Sequence, residues 1–340
     1  MRLALSLCSV LALGCGKSSG TPKVAPSDGP EAKALPPTPA VVAPQVDAGA
    51  VDLATTDTAN DTDAANDTDT ANVAPEDLHC KRQPFASSIP IAEASGATWM
   101  PDTSLLVIGD SGTDGAFLRL SSADGSVLTK GKLPLDSGAS DDLEGLSRIG
   151  STLFGITSSG YMREWEPKGD TFVLARKSYS IARKGDTKSV CASAKDSNCG
   201  PNYEGLCLLD TAADAKPSDD APCVGYAAAK ARGSLVCLVR RPDGRLAARP
   251  EHTISVANPK TLSGCHFDPQ GRLWFGNNVF AANTVGLIED HQHVKSAKIT
   301  RVGALGLGFA EAIAVGTGGQ VFRFSDTTGS PSLLDKYICR

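Results

Sequence analysis

Three glutamates recur in one short phrase along the chain, Glu144-Gly145-Leu146, Glu204-Gly205-Leu206 and Glu311-Ala312-Ile313. Side chains held at one register of a repeated unit converge when the units close into a ring. The three carboxylates are therefore candidate ligand-binding groups at a shared axis. With Asp110 and Asp142 they make an oxygen-only donor set of the kind Ca²⁺ prefers, since that ion takes about six to eight oxygens at roughly 2.3–2.6 Å. Asp110, Asp142, Glu144 and Glu204 are the candidate metal ligands. Carboxylates whose pKa values are driven apart can also work as an acid and a base. In the plainer alternative, each Glu accepts backbone N–H groups from the neighbouring unit and holds the ring together. His266 follows Cys265 on an expected inner strand and is a fourth candidate for ligand binding, or else an interior histidine.

Other motifs carry less. Gly109-Asp110-Ser111-Gly112 has the look of a serine-hydrolase signature, but the only histidine upstream of it is His79, and the repeat pattern makes it a strand end and turn. His291-Gln292-His293 lies in a polar stretch that reads as a loop. No phosphate-cradling glycine loop is present, because Gly125 to Lys132 lacks the spacing.

The elements that must position these groups are short strands. The second residue of each phrase falls at Gly96, Gly145, Gly205, Gly264 and Ala312, and each phrase is followed by short apolar or alternating segments. Turn signals such as Asp124-Gly125, Pro242-Asp243-Gly244 and Pro269-Gln270-Gly271 part these segments. Four strands with their turns need about 40–50 residues, the size of a propeller blade. A small residue opening each innermost strand has a steric cause, the crowding of strands at the axis. The expected fold is all-β, a single β-propeller of five countable blades. A sixth can hide in Ser178–Asn202 or Asp210–Val224. The segment from Cys80 to Pro90 is expected to close the ring by adding a strand to the last blade.

In these phrases the chain resembles the SdiA-regulated family of bacterial β-propellers, which is related in pattern to esterase-like phytase propellers. The matching positions are Ser95-Gly96, Glu144-Gly145-Leu146, Glu204-Gly205-Leu206, Ser263-Gly264 and Glu311-Ala312, in the family's order, over Glu93 to Phe324. The resemblance implies a propeller with acidic residues ending the second strand of each blade. This chain keeps Asp110 but has Thr157-Ser158-Ser159 and Gly276-Asn277-Asn278 at the matching places, which implies a depleted cation site.

The N-terminus sets the compartment. Met1-Arg2 leads into an apolar run, Leu3 to Leu13, too short to span a bilayer and typical of a secretory leader. Leu11-Ala12-Leu13-Gly14-Cys15 is close to a bacterial lipobox, with Ala12 where Leu is usual, so Cys15 is the expected lipidation site and residues 1–15 the leader. Acyl chains such as palmitate on Cys15 would anchor the protein to a membrane. Residues 16–79 hold no Phe, Trp or Tyr and have eleven acidic residues against three lysines, so they are expected to be a disordered acidic tether before a propeller domain at 80–340. The rest of the chain is nearly balanced in charge, which excludes a nucleic-acid surface.

Eight cysteines remain beyond the leader, an even number that suits disulfides in an exported chain. Cys191 with Cys199 would close a short loop, and Cys80 with Cys339 would bracket the domain; the other four can pair among themselves. The functional expectation is a monomeric binding or scaffold module of the cell envelope. It would meet a protein or glycan on its loop face, with no required cofactor and Ca²⁺ as the candidate ion. The alternative is a calcium-dependent phosphoesterase.

Overall fold

The computed structural model describes residues 78–211, 222–278, 283–327 and 331–340. The expected leader, the expected lipidation site Cys15 and the expected tether up to residue 77 lie outside the described residues; Leu78 and His79, expected to end the tether, are described, and His79 exchanges backbone hydrogen bonds with Arg340. Two short strands open the domain, β1 (Cys80–Gln83) and β2 (Ser88–Ile89). Blade 1 is β3 (Ala94–Trp99), β4 (Leu105–Gly109), β5 (Ala116–Leu120) and β6 (Val127–Lys132). Blade 2 is β7 (Leu143–Ile149), β8 (Thr152–Thr157), β9 (Tyr161–Lys168) and β10 (Thr171–Ser180). Blade 3 is β11 (Tyr203–Leu208), β12 (Gly225–Ala229), β13 (Ser234–Arg240) and β14 (Leu246–Ser255). Blade 4 is β15 (Leu262–Phe267), β16 (Leu273–Asn277), β17 (Thr284–Ile288) and β18 (Ile299–Ala304). Blade 5 takes β19 (Phe309–Val315), β20 (Gln320–Asp326) and β21 (Ser332–Cys339) from the C-terminus, and β1 completes it as the outer strand. There is no α-helix among the described residues.

Each four-stranded sheet is an antiparallel meander, with its first strand innermost. Innermost strands touch in sequence, and β19 meets β3, so the ring closes on five blades and the sixth has no place in it. Of the two stretches expected to hide a sixth, Ser178–Asn202 begins with the end of β10 and continues as loop; most of the other lies outside the described residues. The burial pattern follows from the architecture. Inner strands such as β4 and β11 are covered on both faces and are buried throughout, whereas the outer β6 alternates. Five apolar clusters fill the five gaps between blades, for example Ile156, Tyr203 and Leu206 between blades 2 and 3.

The glycines of the repeated phrase nest against one another around the axis. A Cβ on Gly96 would lie 2.9 Å from the Leu146 nitrogen, and one on Gly145 would lie 2.4 Å from the Leu206 nitrogen. On Gly205 it would meet Gly264 Cα at 2.8 Å, and on Gly264 the Glu311 carbonyl oxygen at 2.6 Å. No larger side chain fits between backbones this close. The axis itself retains a cavity of only about 10 Å³.

Closure is both hydrogen-bonded and covalent. β1 pairs with β21 so that Cys80 faces Cys339, and the two are disulfide-bonded. Cys191 bonds to Cys199 in the loop after β10, as the spacing suggested. The remaining four form Cys207–Cys265, which ties blade 3 to blade 4, and Cys223–Cys237 within blade 3. Four disulfides place the domain in an oxidising, extracytoplasmic compartment. No helix among the described residues is long and apolar enough to cross a membrane.

Candidate functional site

In every blade the pairing of the innermost strand with the second shifts register at one residue. The shifts fall between Ala94 and Gly96, Leu143 and Gly145, Tyr203 and Gly205, Leu262 and Gly264, and Ala310 and Ala312. The residues between are Ser95, Glu144, Glu204, Ser263 and Glu311, the phrase residues themselves. A bulge leaves the extra residue out of the ladder and re-aims its side chain. The five-fold repetition of this bulge beside the glycine ring brings the three glutamates to one end of the axis.

Ligand oxygens of Glu144, Glu204 and Glu311 lie within 4.8 Å of one another, and so do those of Asp110, Asp142 and Glu144. Glu144 is shared by both groups. Glu144, Glu204 and Asp142 are nearly inaccessible to solvent, while Glu311 and Asp110 are partly buried.

The two serines at the bulge bond to the backbone of the neighbouring blade, as donors to carbonyls. Ser95 Oγ donates to the Leu143 carbonyl of blade 2 at 2.6 Å, and Ser263 Oγ to the Ala310 carbonyl of blade 5 at 2.9 Å. Among the described residues the glutamates do not bridge blades through backbone N–H groups. Glu204 receives Asn202 Nδ2 at 2.7 Å and the Lys230 ammonium at 3.0 Å. Glu311 stands 3.7 Å from the same ammonium and accepts from Asn278 Nδ2 at 3.5 Å. No hydrogen bond or ion pair reaches the Glu144 carboxylate among the described residues.

A second ring surrounds the first, built from the residues that end the second strand of each blade. By strand register these are Asp110, Ser158, Lys230, Asn278 and Asp326. Ser158 donates to the Asp142 carboxylate, and Asp142 lies one residue before β7. Asp326 Oδ1 is buried without a partner. Asp326 and Lys230 are the members of this ring that the sequence alone did not reveal, and Lys230 is the cationic one. It opens the single 3₁₀ turn between β12 and β13, where nothing in Ala229-Lys230-Ala231-Arg232 marks it as a site residue.

So many carboxylates in one buried place oppose each other's ionisation. Burial, with the charges of Asp142 and Glu204 adding to it, pushes Asp110 up to about 7. Burial and the neighbouring Glu204 and Asp110 hold Glu144 well above the usual carboxylate range. Glu204 is raised by burial against the pull of Lys230, and Glu311 is raised to about 8 by burial and Glu204. Burial works against the Lys230 charge, yet Glu204 and Glu311 outweigh it and hold that pKa above its ordinary value. Clustered, strongly shifted groups of this kind are found at functional sites and in structural ion-pair networks alike.

His266 does not join the carboxylates. It lies on β15 as expected, two residues beyond Gly264, and lines a cavity of about 660 Å³ at the opposite end of the axis. The His291-Gln292-His293 segment is a loop, and Gly109-Asp110 is a strand end and turn, both as read from the sequence.

No family model matches this chain, and no curated protein matches it. Solved structures match it as β-propellers. Glutaminyl cyclase from Myxococcus xanthus is 14% identical with a TM-score of 0.46, over 77% of this chain and 98% of that one. PQQ-bound aldose sugar dehydrogenase from Streptomyces coelicolor is 12% identical with a TM-score of 0.44, over 78% and 99%. Regucalcin from Agrobacterium tumefaciens, described as a calcium-binding protein, is 14% identical with a TM-score of 0.40, over 75% and 94%. None of these similarities bears on what this chain binds.

Proposed function

We propose that this protein is an exported, lipid-anchored binding module of the bacterial cell envelope whose propeller holds a divalent cation, calcium foremost, at its carboxylate end. The observation that carries the cation reading is Glu144, buried and without a donor, with Asp110 and Asp142 oxygens within 4.8 Å of its own. An all-oxygen anionic donor set selects hard cations, and Ca²⁺ tolerates the irregular geometry that carboxylates on separate strands impose. Lys230 already neutralises the Glu204 and Glu311 half, which directs an ion to the Asp110, Asp142 and Glu144 half. Water would complete the coordination.

The anchor reading rests on Cys15 and its leader, and the ordered phrases support kinship with the SdiA-regulated propellers. The loop face would meet an envelope protein or glycan as a monomer. The phosphoesterase alternative gains little: such an enzyme needs a free cationic side chain beside the metal to take a phosphate, and Lys230, the ammonium facing the carboxylates, is already held by Glu204 and Glu311.

Calorimetric titration of chelator-treated protein with CaCl₂ tests the reading. One ion per chain is expected for the wild type, with weaker binding of Mg²⁺ and none in Glu144→Gln or Asp142→Asn. An absence of binding heat and of any melting shift in the wild type would refute it.

A further inference from the structure

The end of the axis opposite the carboxylates holds the cavity lined by His266. The carboxyl ends of all five innermost strands contribute to it, through Trp99, Arg148, Leu208, His266 and Val315. The nested glycines and the 10 Å³ axial remnant separate it from the carboxylates. Its volume of about 660 Å³ lies within the roughly 300–1,000 Å³ of small-molecule sites.

The charged groups around this cavity are already satisfied. Arg148 donates to the carbonyls of Trp99 at 2.9 Å and Gly150 at 2.6 Å, and pairs with Asp210 at 3.0 Å. Asp268 receives Arg272 Nε at 2.7 Å and Trp274 Nε1 at 2.9 Å. What remains is neutral and unfulfilled. His266 Nδ1 and Trp99 Nε1 are both buried with no hydrogen-bond partner, a condition that costs stability while it persists. Burial drives the His266 pKa down to about 4, so the ring is uncharged at neutral pH. The indole of Trp99 is fixed in place, edge-on to Phe322 at 5.6 Å and over Gly316, where a Cβ would stand 2.2 Å from its ring.

These groups discriminate among ligand chemistries. Among the described residues a phosphate or carboxylate would find no free cation. A purely apolar ligand would leave both nitrogens unpaired. A hydroxyl both donates and accepts, which suits an indole N–H that only donates and an imidazole nitrogen that can do either. We propose that this cavity is a second binding site, separate from the cation centre, for a neutral saccharide. An apolar face of the sugar would lie along Trp99 and Leu208, with its hydroxyls on Trp99 Nε1 and His266 Nδ1.

Tryptophan fluorescence reads this site selectively. Of the three tryptophans, Trp165 and Trp274 are fully buried with bonded nitrogens, and Trp99 is the one at the cavity. The full chain is titrated with glucose, maltose and N-acetylglucosamine, and with glucose 6-phosphate and glucuronate as charged probes. A saturable change with at least one neutral sugar is expected. Calorimetry should find that binding at least tenfold weaker in His266→Phe and Trp99→Phe, and unaltered in Glu144→Gln. Should His266→Phe melt early, Thr317→Arg at the exposed rim blocks the mouth without touching the core and should abolish binding equally. No saturation with any neutral sugar, preference for the charged probes, or full binding in the cavity variants overturns the proposal. Because Glu144→Gln is expected to bind sugar normally, failure here is distinguishable from failure of the cation reading.

Discussion

Replacing Glu311 by glutamine keeps its shape and removes its charge, which makes the crowding of carboxylates measurable. The folded protein holds this carboxyl at about 8 against an ordinary 4.5. Below the ordinary value both states are protonated and the group's contribution to stability is complete. As pH rises the unfolded chain ionises first, and stability falls until the folded group ionises too. Each unit of difference is worth about 1.4 kcal/mol. Between about pH 6.5 and pH 8.5 the folded group still lags by roughly 1.5 units, or about 2 kcal/mol. For a domain of this size that is about 4–8 °C in Tm.

The assay is calorimetric melting of wild type and Glu311→Gln in chelator across that window. Histidines such as His266, lowered to about 4, act at lower pH and equally in both proteins, so they cancel in the difference. The wild type should lose about 4–8 °C relative to the variant as pH rises, and saturating calcium should flatten the loss. Parallel melting curves, or a variant that falls behind the wild type at high pH, would show that these carboxylates do not strain the calcium-free fold.

Two further expectations concern the ring. Gly145→Ala sets a Cβ 2.4 Å from the Leu206 nitrogen, a backbone atom that cannot swing away, so blades 2 and 3 must part. A loss of about 1–3 kcal/mol is expected by thermal melting, and an unchanged Tm would contradict the nesting of glycines. Paired serine substitutions of Cys80 and Cys339 release a loop of 259 residues, against 8 for Cys191 and Cys199. The chain-entropy relation gives about 5–6 kcal/mol for the first and about 2–3 kcal/mol for the second, so the first pair should lower Tm about twice as far. Equal shifts would mean that closure depends on the strand ladder alone.

Much of the fold was legible because one steric demand repeats. Only a residue without bulk fits where backbones meet at the axis, and Gly96, Gly145, Gly205 and Gly264 advertise that demand at regular intervals. The closing strand and two disulfides followed from where Cys80, Cys339, Cys191 and Cys199 sit. The other pairings were not legible, because Cys207 meets Cys265 only through the contact of neighbouring blades.

At the site, the recurring Glu-Gly phrase located the three glutamates, and Asp110 was found at the end of a second strand. Lys230 escaped because the connection from β11 to β12 is far longer than its counterparts, which hides the equivalence with Asp110, Ser158 and Asn278 until the strands are paired. His266 was placed on the right strand but grouped with the wrong end. Two residues of extended chain carry it past the glycine ring, and periodicity alone does not say on which side of a barrier a residue falls.

The clasp between Cys80 and Cys339 has a mechanical meaning. Force arriving along the chain from its N-terminal side meets Cys80 almost at once, after the His79 and Arg340 backbones have exchanged hydrogen bonds at 2.8 and 3.0 Å. The load passes through a sulfur bridge into the final strand instead of peeling β1 away residue by residue. A domain clasped in this way can be tugged from its N-terminal side without coming undone, and the two ends of its axis keep their shape under tension.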